Sequence, residues 1–166
     1  MVTPIIIILL LCSPLIVAYL ISRLGNKPLN IRRYACWGLG IAFLFFSIGH
    51  FVKTEGMMEM LPSWIPFRLT IVYLTGVLEL LIGLAIIYPK SQVTAAKLAI
   101  LVFIAFFPAN IYAALNGIGL GGHQWGPVYL FIRAPLQAVL IAWAYFLCVK
   151  GNSESSNHIS EDGTLA

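Results

Sequence analysis

Five runs of roughly twenty apolar residues fill most of the chain, and each is long enough to cross the hydrocarbon core of a bilayer as a helix. They fall at about residues 3–22, 34–52, 69–88, 93–114 and 128–149. Backbone groups in hydrocarbon must pair within their own segment, so these runs can only be helices. Short connections make neighbours antiparallel, and the expected fold is an all-α membrane bundle. Composition agrees: 60% of the 166 residues are hydrophobic and 10% are charged, against about 25% charged in a soluble domain. The lipid bilayer is therefore the first expected partner.

Several classes of function fall away early. The net charge of +4 is modest, and no basic block is interleaved with aromatics, which argues against nucleic acid. Cys12, Cys36 and Cys148 lie far apart in apolar runs and form no C-x-x-C pair, so they read as small core or lipid-facing residues. No basic residue precedes Arg23, and the first run reads as a retained span rather than a signal peptide. The tail, residues 150–166, is polar and acidic and is expected to be disordered, with His158 solvated.

Basic residues set the expected orientation. Arg23, Lys27, Arg32, Arg33, Lys90, Lys97 and Lys150 fall on one side, and Lys53 and Arg68 on the other. The larger group marks the cytoplasmic side, which puts the N-terminus outside and the tail inside a cytoplasmic membrane. Trp64 and Trp125 then lie at the outer interface, and Trp37 and Trp143 nearer the opposite one.

Four side chains do not belong in hydrocarbon: His50, Glu79, Asn110 and Arg133. Glu79 lies within "YLTGVLELLIGLAIIY", residues 73–88. Counting from the span ends at 1.5 Å per residue places Glu79 roughly 15 Å from its outer end, Arg133 about 7 Å, Asn110 about 6 Å and His50 about 3 Å. An ionised carboxylate at mid-bilayer costs at least ~2.5–3.5 kcal/mol. Protonation or a buried cation relieves that cost. Arg133 is the basic residue clearly inside a span, and it does not readily deprotonate. The expectation is a Glu79–Arg133 ion pair, with Asn110 and His50 completing the hydrogen bonds.

The surrounding pattern fits one inward-facing site. Tyr129, Arg133 and Gln137 recur every four residues as a polar stripe on the last helix. Gly76, Glu79 and Gly83 share a face, where small residues admit a neighbouring helix. Pro108 removes a backbone donor and orphans the carbonyl of Ile104, so a kink or a bound polar group is expected there. "MMEMLPSWIPF", residues 57–67, reads either as an interfacial anchor or as a lid. Gly117, Gly119 and Gly122 match G-x-G-x-x-G, but no strand precedes them, so the match is false. His123 is a solvated loop residue or sits over the pocket. His50, Glu79 and His123 are metal-ligand types, yet their spacing fits no compact metal motif. A structural role is also open to each polar residue: a Glu–Arg pair fixes helix register, His50 snorkels, and Asn110 bonds a neighbouring helix.

"GHF" at Gly49–Phe51, "MLPSWIPF" at Met60–Phe67, "TGVLELLIGL" at Thr75–Leu84 and "FPANIYAAL" at Phe107–Leu115 come in an order that resembles the DoxX family of small membrane proteins. The resemblance covers about residues 34–147. It implies a four-helix bundle over residues 34–149, with His50, Glu79, Asn110 and Arg133 on its characteristic polar positions. Residues 1–33 then form an additional N-terminal span and basic loop. Some relatives of that family are linked to quinone-dependent sulfur oxidation, others to redox-enzyme assembly or oxidative-stress complexes. The function expected is a non-catalytic or accessory role in membrane redox or envelope-stress physiology. A quinone headgroup is the candidate ligand, and a membrane redox protein or a second copy of the chain the candidate partner. An assembly or interaction protein is the alternative, and a small-molecule transporter the third. No side chain stands out as catalytic.

Overall fold

In a computed structural model the described residues are 2–25, 28–118 and 123–150, with the backbone alone for His123 and Gln124. Lys27, Gly119, Gly122, and the tail from Gly151 with His158 lie outside the described residues. The helices are α1 (Val2–Gly25), α2 (Ile31–Val52), α3 (Thr54–Glu59), α4 (Arg68–Ile87), α5 (Gln92–Leu115) and α6 (Leu130–Trp143). A 3₁₀ segment, His123–Tyr129, leads into α6, and a π-helical segment, Ala144–Lys150, continues it. Four of these helices and the composite Trp125–Lys150 are long and apolar enough to span a membrane. Each end lies within three residues of the boundary read from the apolar runs. The chain is a multi-pass membrane protein of all-α fold.

Side chains such as Leu74, Leu81, Leu101, Ile104 and Phe131 face outward, where lipid is the natural solvent. Inside, Leu11, Leu39, Phe43, Ile86, Val102 and Leu140 pack together from all five spans. α2 is the centre of the bundle. It packs between α1 and α4, α4 continues to α5, α5 meets the last span, and the π-helical segment closes back on α2. At that closure Cys36 and Cys148 are fully buried, with their thiols hydrogen-bonded to each other. Trp143 also donates its Nε1–H to the carbonyl of Ala35 at 3.0 Å.

Glycine sets the register of the two most closely packed helices. A Cβ added to Gly40 would fall 2.9 Å from the carbonyl oxygen of Gly83, and one added to Gly83 would fall 3.0 Å from that of Gly40. Two backbones touch here, as the glycines of the third span led one to expect. Two turns further along, Ser47 donates to the carbonyl of Gly76 at 2.8 Å. Replacing Ser47 by alanine should lower stability by about 0.6–1.7 kcal/mol, the range for hydrogen bonds between membrane helices. Thermal unfolding in detergent measures it, and an unchanged midpoint would show that the bond contributes nothing.

Gly117 has φ 62°, the left-handed conformation that glycine adopts at no steric cost. Its N–H bonds the carbonyl of Ala114 at 3.3 Å and that of Ile118 bonds Ala113 at 3.0 Å. This pair of bonds is the Schellman ending of α5, and it gives the first glycine of the false nucleotide motif a purely structural role. α5 itself runs as one helix through Pro108. The polar group expected at the carbonyl of Ile104 arrives one residue earlier: the Gln137 side chain donates to the carbonyl of Phe103.

Candidate functional site

A cavity of about 640 Å³ opens among the helices at the end of the bundle where α2 stops and α4 begins. His50 from α2, Glu79 from α4, Asn110 from α5, and Arg133 and Gln137 from α6 all line it. Its remaining wall is largely apolar, with Phe46, Phe103, Phe106 and Leu136 prominent. Thr3 and Ile7 of α1 close one side. Five of the six polar residues singled out in the sequence therefore share one space. The sixth, Tyr129, is fully buried but is not part of the wall. It sits beside Arg133, one turn earlier on the same stripe.

The expected Glu79–Arg133 ion pair does not form. The basic side chain beside Glu79 is His50, with Nε2 and Oε2 3.2 Å apart. The reason lies in side-chain direction. Every Cα–Cβ bond leans toward its own helix N-terminus. α4 and α6 run the same way, so Glu79 and Arg133 both lean toward the α3 end and their axial separation persists. α2 runs oppositely, and His50 leans down toward Glu79. Register supplies the rest. With Gly40 opposite Gly83 and Ser47 opposite Gly76, Val52 comes level with about Ile71. α4 thus extends roughly one turn beyond α2, and α3 fills the step. Counting depth from span ends set His50 too far from Glu79.

His50 is held firmly. Its Nδ1 lies 3.0 Å from the carbonyl of Val72 and 3.2 Å from Thr75 Oγ1. A carbonyl only accepts, so Nδ1 carries the proton and Nε2 is left facing the carboxylate. The Thr75 hydroxyl donates in turn to the carbonyls of Ile71 and Val72 at 2.8 and 3.0 Å. The approach to Glu79 is an electrostatic contact rather than an aligned hydrogen bond, because Oε2 has no hydrogen-bond partner among the described residues. Glu79 is 5% exposed, so this contact lies away from water. Asn110 donates to the carbonyl of Phe106 at 3.0 Å, within its own helix, and keeps a second N–H.

The segment between α2 and α4 divides between its two expected roles. Met57, Met60 and Leu61 line the cavity, whereas Trp64 and Phe67, each 81% exposed, point away as an interfacial anchor would. Sequence reasoning overlooked Ser47, Thr75 and Lys53. Serine and threonine are ordinary in membrane helices and give no signal there, and Lys53 counted only as a charge at a span end. Lys53 nonetheless lines the cavity. Among the described residues no group of three or more His, Cys, Asp or Glu side chains could hold a metal ion.

A family model described as a domain of unknown function, DUF8561, matches residues 39–148. The chain belongs to the DUF8561 family. The DUF8561 match takes in every one of the five polar cavity residues and leaves out α1. α1 lies outside the matched residues and still contributes to the cavity wall. No curated protein and no solved structure matches the chain.

Proposed function

We propose that this DUF8561 protein is an integral membrane protein that takes a small amphipathic molecule from the bilayer into its polar cavity. It acts as an accessory, non-catalytic component of membrane redox or envelope-stress physiology. One observation carries the reading: polar side chains from four helices converge on a single cavity of about 640 Å³ with an otherwise apolar wall. Ligand sites have this form, a few hundred Å³ of apolar surface with a small number of placed polar groups. Intramembrane ionisable residues are functional candidates by default. The distribution of basic residues puts the cavity in the outer leaflet of a cytoplasmic membrane, with the N-terminus outside and the tail in the cytoplasm.

A quinone headgroup suits the site. Arg133 and the second N–H of Asn110 are donors for its carbonyls, and the phenylalanine walls match its ring. The likeness to the DoxX family, in which some members serve quinone-linked reactions, supports the same choice. Equilibrium binding of a short-chain quinone to the purified protein tests it. The parent should bind, and Glu79→Gln and Arg133→Ala should each weaken binding about tenfold or more, as expected for the loss of a charge-assisted contact. No binding in the parent, or unchanged binding in both variants, would refute the quinone assignment. A stoichiometric protein partner purified in mild detergent, with no small molecule bound, would favour an assembly role instead.

A further inference from the structure

The charges on the cavity wall are unequal. Four ionisable side chains line it: Lys53, His50, Glu79 and Arg133. Glu79, the one acidic group, lies 3.2 Å from His50 and acts on Arg133 through space without touching it. Neither Arg133 nor Lys53 has a carboxylate within 4 Å among the described residues. Glu55 and Glu59, the nearest acids along the chain to Lys53, are exposed and lie outside the wall. The side chain beside Arg133 is the Tyr129 hydroxyl, a hydrogen-bond partner and not a carboxylate. A guanidinium at the edge of hydrocarbon, open to an apolar chamber, calls for an anion. Its planar fork fits a carboxylate or a phosphate in two-point fashion, while lysine contributes a mobile point charge.

We infer that Arg133 and Lys53 form an anion-binding subsite, and that the cavity takes amphiphiles bearing an ionised carboxylate or phosphate group. The acidic group sits against Arg133, with the free N–H of Asn110 as a further donor, and the apolar part lies along Phe46, Phe103 and Phe106. The inference rests on the reading of the cavity as a site for a small amphipathic molecule, and it replaces the neutral quinone headgroup by an acidic one.

The test compares three probes on purified protein in a neutral detergent: oleate, oleyl alcohol and inorganic phosphate. Oleate should bind at least about tenfold more tightly than the alcohol of the same chain, the factor a charge-assisted hydrogen bond supplies. Arg133→Gln should remove that difference, weakening oleate binding far more than that of the alcohol. Lys53→Gln, at an exposed position, should reduce the difference by a smaller factor. Displacement of oleate by inorganic phosphate would assign the subsite to free anions as well as lipids, and failure to displace it would assign it to membrane-borne acids alone. Phosphate binding without oleate binding would keep the anion subsite and remove the lipid. Equal affinity for acid and alcohol in the parent overturns the subsite but leaves the cavity reading intact. No binding of any probe overturns both.

Discussion

His50→Leu should destabilise the protein by about 1–3 kcal/mol, the cost of leaving buried polar groups without their partner. The size follows from the surroundings. Glu79 is 5% exposed, and His50 is the basic side chain within 4 Å of it among the described residues. Leucine fills the volume but leaves the carboxylate without that partner. It also leaves the carbonyl of Val72 without the imidazole N–H at 3.0 Å. Glu79→Gln keeps the shape and removes the charge, so its cost should be much smaller. The double variant His50→Leu with Glu79→Leu should be more stable than His50→Leu alone, because an apolar pair of similar volume needs no countercharge. Thermal unfolding of the parent, His50→Leu, Glu79→Leu and the double variant in one detergent gives the coupling energy directly. If the single effects merely add, the two side chains do not depend on one another.

The spans were legible because hydrocarbon permits so few arrangements. Runs of about twenty apolar residues leave helix as the one choice, and their ends shift by no more than three residues in the structure. Cavity membership was legible for a related reason: His50, Glu79, Asn110, Arg133 and Gln137 each cost free energy in lipid and therefore turn toward a common interior. Who pairs with whom was not legible. That depends on helix direction and on register, and register is fixed by the Gly40–Gly83 contact, which no local pattern near Glu79 discloses. Arg133 looked the better partner by charge, but it leans the same way as Glu79 and stays out of reach. The meeting of Cys36 with Cys148 was hidden for the same reason, since the closure of the last span on α2 is a tertiary event. α3 was missed because a six-residue helix carries too short a pattern to stand out from a loop.

Gly40→Ala should be the most damaging single methyl in the bundle, lowering stability by at least about 1–3 kcal/mol, the cost of overpacking. The new Cβ would stand 2.9 Å from the carbonyl oxygen of Gly83 and 2.7 Å from a side-chain carbon of Ile87. Ile87 can rotate away, but the Gly83 backbone cannot. α2 and α4 must part, stretching the Ser47–Gly76 bond and drawing His50 away from Glu79, so ligand binding should weaken together with stability. Gly38→Ala is the informative comparison. Its Cβ would stand only 2.0 Å from the carbonyl of Leu11, a worse clash, yet α1 lies at the edge of the bundle and is mostly exposed. α1 can tilt off α2 while the other four spans hold, so the His50–Glu79 contact should survive. At Gly49 the nearest obstacle is the flexible end of Met57, 3.4 Å away. Gly49→Ala should therefore be neutral or stabilising by up to ~1 kcal/mol, because alanine favours helix over glycine. Unfolding midpoints and ligand affinity, measured on all three, should separate them in that order. A Gly40→Ala protein as stable as its parent would mean that α2 and α4 do not cross at these two glycines, and the register that brings His50 to Glu79 would fail with it.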